Sequence, residues 1–121
     1  MSASVTLQQG ALAARIIEDT AVTSTAVTNV TGAAANLYYV ETDNTANTLA
    51  SFVKFYNNAS PTVGTTPPDV ALRTVAGAKE YFVFPTSIAF ATALSYACVT
   101  TAGTAGTTSP TNSVIVRMAT S

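Results

Sequence analysis

The chain has 121 residues, of which 9% are charged and 48% hydrophobic, and its formal net charge is -1. This length and uniform composition predict a single domain, 1–121, that needs neither metal nor disulfide. The few, scattered basic residues argue against binding to nucleic acid or an anionic membrane surface, and no apolar run has the length of a membrane-spanning helix.

The charged fraction is far below the roughly 25% of an average soluble domain. The surface is therefore expected to consist mostly of hydroxyl and amide groups, which cost little to desolvate against another protein. This composition favours a protein that works while bound to others. The first residues, 1–9, lack the basic and apolar regions of a signal peptide, so we expect no Sec-type export.

Short runs rich in Thr, Val, Tyr and Phe alternate with Gly, Pro, Asn and Ser, as in strands separated by turns. The pattern predicts an all-β fold: an antiparallel β-sandwich, jelly-roll or immunoglobulin-like, of about eight strands. The candidate strands are 4–8, 11–17, 20–30, 36–41, 51–56, 70–75, 80–84, 94–100 and 113–118.

The N-terminal region allows further interpretations. Residues 1–10 are polar and have no obvious partner strand, so they are a candidate arm that reaches a neighbouring subunit. Residues 11–18 also fit a short helix, because Leu12, Arg15 and Ile16 lie at helical spacings.

Two later strands show which residues share a face. In 51–56, Val53 and Phe55 are predicted to face the core, and the opposite face, which includes Lys54, is predicted to be amphipathic. In 113–118, Val114, Val116 and Met118 share one face, and Ile115 and Arg117 share the other. This alternation predicts a closing strand with one solvated face.

Residues 57–69 and 101–112 are too rich in turn formers to be strands. Two consecutive prolines in the first loop remove backbone donors, so this segment should run over an edge, where it can contact a neighbour. These loops supply the candidate protein interface. Its residues are Val63, Gly64, Thr65, Thr66, Pro67, Pro68, Asp69, Thr101, Gly103, Gly106 and Pro110.

The sequence offers little for catalysis. It has no histidine, which excludes histidine-dependent nucleophilic machinery and imidazole zinc sites. Cys98 lies in an apolar strand without a nearby basic residue, so we interpret it as a buried small hydrophobe. We predict no catalytic residues and no enzyme.

The acidic pairs, Glu18 with Asp19 and Glu41 with Asp43, match no calcium-loop pattern, and Asp43 or Asn44 is interpreted as capping a turn. The segment from Gly103 to Gly106 lacks the Lys and following helix of a phosphate loop. We therefore predict neither a metal nor another cofactor.

From residue 36 onward, the order of segments resembles a group of small tailed-bacteriophage virion proteins: β-sandwich capsid cement (decoration) proteins and modules of tail parts. The resemblance covers about two-thirds of the chain and depends on the order and spacing of its segments, none of which is diagnostic alone. The segments are Leu37-Tyr38-Tyr39-Val40 with Asp43-Asn44, Phe52-Val53-Lys54-Phe55-Tyr56-Asn57, Val63-Gly64-Thr65-Thr66-Pro67-Pro68-Asp69, Glu80-Tyr81-Phe82-Val83-Phe84-Pro85, Ile88-Ala89-Phe90-Ala91-Thr92-Ala93-Leu94-Ser95-Tyr96-Ala97, and a Thr/Gly-rich loop before the final strand.

The resemblance implies a cement protein on the outer capsid surface of the virion, made in the host cytoplasm, that binds the major capsid protein and stabilises the head. It also implies a homotrimer or homodimer. The alternative is a tail or fibre module that attaches to other tail proteins or recognises a host glycan, for instance through Tyr56-Asn57-Asn58. A small hydrolase using Asp43 or Glu41 has the least support.

Overall fold

The computed structural model describes residues 2–7 and 15–121, which form eight β-strands in two antiparallel sheets. The strands are β1 Ala3–Leu7, β2 Arg15–Val22, β3 Ala35–Asp43, β4 Ser51–Tyr56, β5 Val70–Thr74, β6 Lys79–Phe90, β7 Ser95–Val99 and β8 Val114–Thr120. The five-stranded sheet has the order β1-β2-β8-β3-β6, and the three-stranded sheet has the order β5-β4-β7. The predicted all-β, sandwich-like fold of about eight strands is confirmed.

The core lies between the two sheets and is built from alternate residues of their strands. Phe55 of β4 is at its centre, with its ring centroid 6.4 Å from that of Phe90 and 6.2 Å from that of Tyr96. Val53 and Phe55 face this core as predicted. On β8, Val114, Val116 and Met118 are buried and the residues between them are partly exposed, as the alternation in the sequence predicted.

The candidate strand at 20–30 is wrong beyond its first residues. Residues 20–22 end β2, and the chain from Thr23 to Val30 then crosses to the edge of β7, where Val27 and Tyr96 form an isolated bridge. Thr23 and Val30 also bond to the β7 region, through Cys98 N and Leu94 O. The β-branched residues indicated a strand, but their backbone partners come from the second sheet at irregular spacing.

The N-terminal predictions are corrected where the structure describes them. Residues 3–7 are not a free arm, because β1 pairs with β2 from Ala3↔Asp19 to Leu7↔Arg15. The helical alternative for 11–18 is wrong for residues 15–18, which belong to β2. Residues 11–14 lie outside the described ranges, as do residues 1 and 8–10 of the expected arm.

The sixth strand is longer than predicted, since it continues from Lys79 through Pro85 to Phe90. Proline is tolerated there because β6 is at the edge of its sheet. Tyr39 pairs with Val83 and Leu37 with Ile88, so residues 84–87 bulge opposite Tyr38. Ser87 adopts a positive φ of 58° within this bulge.

Candidate protein interface

The two loops that supplied the predicted interface lie side by side, and the second contacts the outer face of the three-stranded sheet. Lys54, which alternates with the core residues of β4 and so lies on the outer face, donates from Nζ to the carbonyl oxygen of Gly106 over 3.1 Å. Gly64 approaches the second loop so closely that a Cβ there would lie 2.5 Å from Thr107 Cγ2. The fold thus joins two segments separated by about forty residues into one surface.

Hydrogen bonds join the two ends of the first loop, 57–69, and others form within it. Asn57 N donates to Asp69 Oδ2 over 2.7 Å, and Asp69 N donates to the carbonyl oxygen of Phe55. Farther along, the backbone N–H groups of Thr65 and Thr66 donate to the carbonyl oxygen of Thr62. These local bonds hold the loop in one shape, which reduces the entropy lost when it binds a partner.

The second loop, 101–112, is anchored at both ends. Thr100 N donates to the carbonyl oxygen of Thr108 over 2.9 Å. At the other end, Asn112 N donates to Asn47 Oδ1 over 2.8 Å. The loop therefore forms a fixed flap, 101–112, over Lys54 of β4.

The predicted interface residues differ in accessibility. One group is exposed: Thr65, Pro67, Asp69, Thr101 and Gly103. A second group is half-buried: Val63, Gly64, Thr66, Pro68 and Gly106. Pro110 is buried and offers little surface to a partner. Asp69 is the single ionisable residue of the two loops, so this surface is nearly uncharged and rich in hydroxyl groups.

The outer face of β4 was predicted to be amphipathic, but the flap covers Lys54 on that face. Lys54 and Tyr56 are both fully buried. Burial lowers the pKa of the Lys54 ammonium and raises the pKa of the Tyr56 hydroxyl, because each charged form loses its hydration. The Tyr56 hydroxyl has no hydrogen-bond partner among the described residues.

The carboxylates of the two acidic pairs form hydrogen bonds and ion pairs within the fold. Glu18 and Asp19 point to opposite faces: Glu18 binds Arg117 Nε over 2.7 Å, and the buried Asp19 accepts from the Tyr96 hydroxyl over 2.9 Å. Burial is the largest cause that raises the pKa of Tyr96, followed by the charge of Asp19. The two acidic residues are thus not a paired site.

The second acidic pair is also bound locally. Glu41 lies 3.4 Å from Arg117, and Asp43 caps its turn by accepting from Thr45 N and Oγ1, as the turn interpretation predicted. The hydrogen bond from the Thr45 hydroxyl is the largest cause that lowers the pKa of Asp43. Within 2–7 and 15–121, no group of three or more acidic or cysteine side chains is placed to hold a metal ion.

Cys98 is buried, as predicted, and burial raises the pKa of its thiol to about 11. We expect the native thiol to react with an aromatic disulfide reagent at least about 100-fold more slowly than the unfolded chain at neutral pH, since two pKa units alone reduce the thiolate that much. Absorbance of the released thiol, with and without denaturant, measures both rates. Equal rates would show that the thiol is accessible.

The residues proposed for glycan recognition do not form an open platform. Tyr56 is buried, Asn57 Oδ1 accepts from Thr92 N over 2.8 Å, and Asn58 Oδ1 accepts from Ser60 N. An aromatic pair with one exposed ring lies elsewhere, on the outer face of the five-stranded sheet. Tyr39 and Tyr81 stack there with ring centroids 6.4 Å apart, and Tyr81 is 61% exposed.

Comparisons with family models, curated proteins and solved structures gave no match. No stretch of 2–7 or 15–121 forms a helix long and apolar enough to cross a membrane.

Proposed function

We propose that this chain is a non-catalytic structural protein of a tailed-bacteriophage virion, a capsid cement protein that binds the major capsid protein on the outer surface of the head. The observation that carries the proposal is the braced, nearly uncharged surface of the two loops, 57–69 and 101–112. Such a surface is cheap to desolvate and loses little conformational freedom on binding. Repetition over a symmetric lattice turns weak individual contacts into stable attachment.

In this proposal the protein acts as a homodimer or homotrimer seated between capsomers. It is made in the host cytoplasm and becomes part of the virion. The resemblance of its segment order to capsid cement proteins supports this placement. The scarcity of charge supports protein partners over nucleic acid or membrane.

The test is binding of the purified protein to preformed capsids that lack it, followed by co-sedimentation and electron cryomicroscopy of the pellet. Regular density on the outer lattice, with the two loops towards the shell, is the expected result. Absence of the protein from the shell contradicts the proposal.

Charge placed on the loop surface should weaken this binding. We expect the double variant Thr65→Lys, Thr101→Lys to lose at least about tenfold in capsid affinity, because each ammonium must lose water when the loops dock. Thr6→Lys, at an exposed position on β1, is the matched control and should bind as the wild type does. Equal binding by all three proteins would exclude the loops as the contact.

A tail or fibre module is the second candidate function. The Tyr39–Tyr81 pair, of which Tyr81 is exposed, favours it, because stacked aromatic rings beside charged groups suit a sugar ring. Density at the tail, or binding to host polysaccharide that Tyr81→Ala abolishes, would support this function in place of the cement role.

A further inference from the structure

The strand β6 presents an open edge. Among the described residues, β3 is its single strand partner, and no other described group hydrogen-bonds to the backbone of 79–90. Tyr81 and Val83 are 61% and 68% exposed on the outer face of the sheet. On the inner face, Phe82 and Phe84 pack partly against the core. The edge is therefore apolar on both sides.

The other three edges are short or covered. Along β7, Val27 N donates to the carbonyl oxygen of Tyr96, and Tyr96 N donates back to that of Val27. The strands β1 and β5 have five residues each, and β5 carries the exposed Arg73. Short strands, charges and covering segments are the usual protection against edge pairing. By contrast, β6 has twelve residues and no charge after Glu80.

We propose that β6 pairs antiparallel with β6 of a second copy around a two-fold axis, which joins the two five-stranded sheets into one continuous sheet. With the axis at Phe82, Tyr81 lies opposite Val83 of the second copy, and the reverse pair is identical. Apolar side chains then meet on both faces, and no like charges stand opposite each other. With this axis Glu80 lies opposite Phe84, where the bulge at 84–87 begins, so the pairing is limited to 80–84 of each copy.

The charges near this edge favour an identical partner over an oppositely charged one. On the outer face, Arg117 is paired with Glu18 and Glu41. Lys79 lies 3.8 Å from Asp43. These two cations and three carboxylates leave one negative charge in excess on the face. That is too little charge to select a strongly basic partner over an identical copy.

The inference deepens the self-association part of the proposed function. Its test uses purified protein without capsids, so dimerisation and capsid binding can fail separately.

Sedimentation equilibrium across the micromolar range should show a monomer–dimer equilibrium for the wild type, and Val83→Lys should raise the dissociation constant at least about tenfold. The matched control is Ile16→Lys. Ile16 is 46% exposed on the same face and in the same cross-strand row as Val83, but three strands away on β2. This control should dimerise as the wild type does.

Hydrogen exchange identifies the contact directly, since the amides in 80–84 that point away from β3 should become protected as the concentration rises. Tyr81→Lys is a second variant in case Val83→Lys fails to fold, as checked by circular dichroism. If Ile16→Lys raises the dissociation constant of the dimer as much as Val83→Lys does, the sheets pack face to face and the proposal is overturned. A monomeric or trimeric wild type would also overturn it, as would protection of β6 that appears only on capsids.

Discussion

Replacing Lys54 with methionine is expected to raise the free energy of unfolding by about 1–4 kcal/mol, the range found when apolar side chains of similar volume replace buried ion pairs. Lys54 is fully buried, and its Nζ donates to the carbonyl oxygen of Gly106. No carboxylate among the described residues forms an ion pair with it. One neutral acceptor offsets little of the cost of removing an ammonium group from water. Methionine keeps the apolar stem beneath the flap and removes the charge.

The increase in the free energy of unfolding that Lys54→Met produces should become smaller at alkaline pH. Burial lowers the pKa of Lys54 below its usual 10.5, so the folded state releases this proton more readily than the unfolded state. The penalty is complete below the folded pKa and disappears as pH rises towards 10.5. The advantage of the methionine variant should therefore shrink in alkaline solution. Cys98 and the buried tyrosines are common to both proteins and cancel in the difference.

Urea unfolding of the wild type and Lys54→Met over a pH series measures this effect. Lys54→Ala is the matched comparison, and it should be at least about 2 kcal/mol less stable than the methionine variant because it leaves a cavity beneath the flap. A stability difference that stays constant into alkaline pH, or a methionine variant weaker than the wild type, would contradict a buried charged lysine.

Asn44→Ala is expected to lower the free energy of unfolding by about 2–4 kcal/mol, because it leaves several buried polar groups unpaired at roughly 1–3 kcal/mol each. Asn44 is fully buried, and its Nδ2 donates to the carbonyl oxygens of Leu49 and Val75 over 2.9 and 3.1 Å. Its Oδ1 accepts from Asn47 Nδ2 over 2.9 Å. Asn47 in turn binds the backbone of Asn112 through two hydrogen bonds. One amide thus connects the turns after β3 and β5 with the end of the flap.

Asn112→Ala is the matched control, since the same residue type is changed in the same network. The Asn112 side chain donates to the carbonyl oxygen of Ala46, at an exposed position, and its backbone bonds to Asn47 would remain. Asn112→Ala should therefore lower the free energy of unfolding by less than about 1 kcal/mol. Equal losses in the two variants, measured by thermal or urea unfolding, would show that Asn44 has no special role.

The strands were predictable because their signal is local. Val114, Val116 and Met118 alternate with partly exposed residues, and the turn formers of 57–69 and 101–112 end the neighbouring strands as expected. The positions of these two loops could be predicted from the same residues, since prolines and glycines exclude regular pairing. The bulge that carries β6 past Pro85 has no comparably clear local signal.

Contacts between segments far apart in the sequence could not be predicted from these local patterns. Lys54 was expected on an amphipathic face, and nothing in its neighbours along the chain indicates that the flap buries it. The same holds for Asn44, which was interpreted as a turn cap, and for 23–30, whose β-branched residues indicated a strand. In each case the partner lies far away in the sequence, so alternation and composition carry no information about it.

By itself, the sequence determined the all-β class, most of the strand positions, the inward residues of β4 and β8 and the lack of histidine chemistry, because these follow from side-chain type and a period of two residues. Only the tertiary structure decided that the two loops meet over Lys54, that the Thr23–Val30 segment covers the edge of β7 and that β6 stays open. Burial of a second face and coverage of an edge depend on which segments pack together, and that depends on the whole chain.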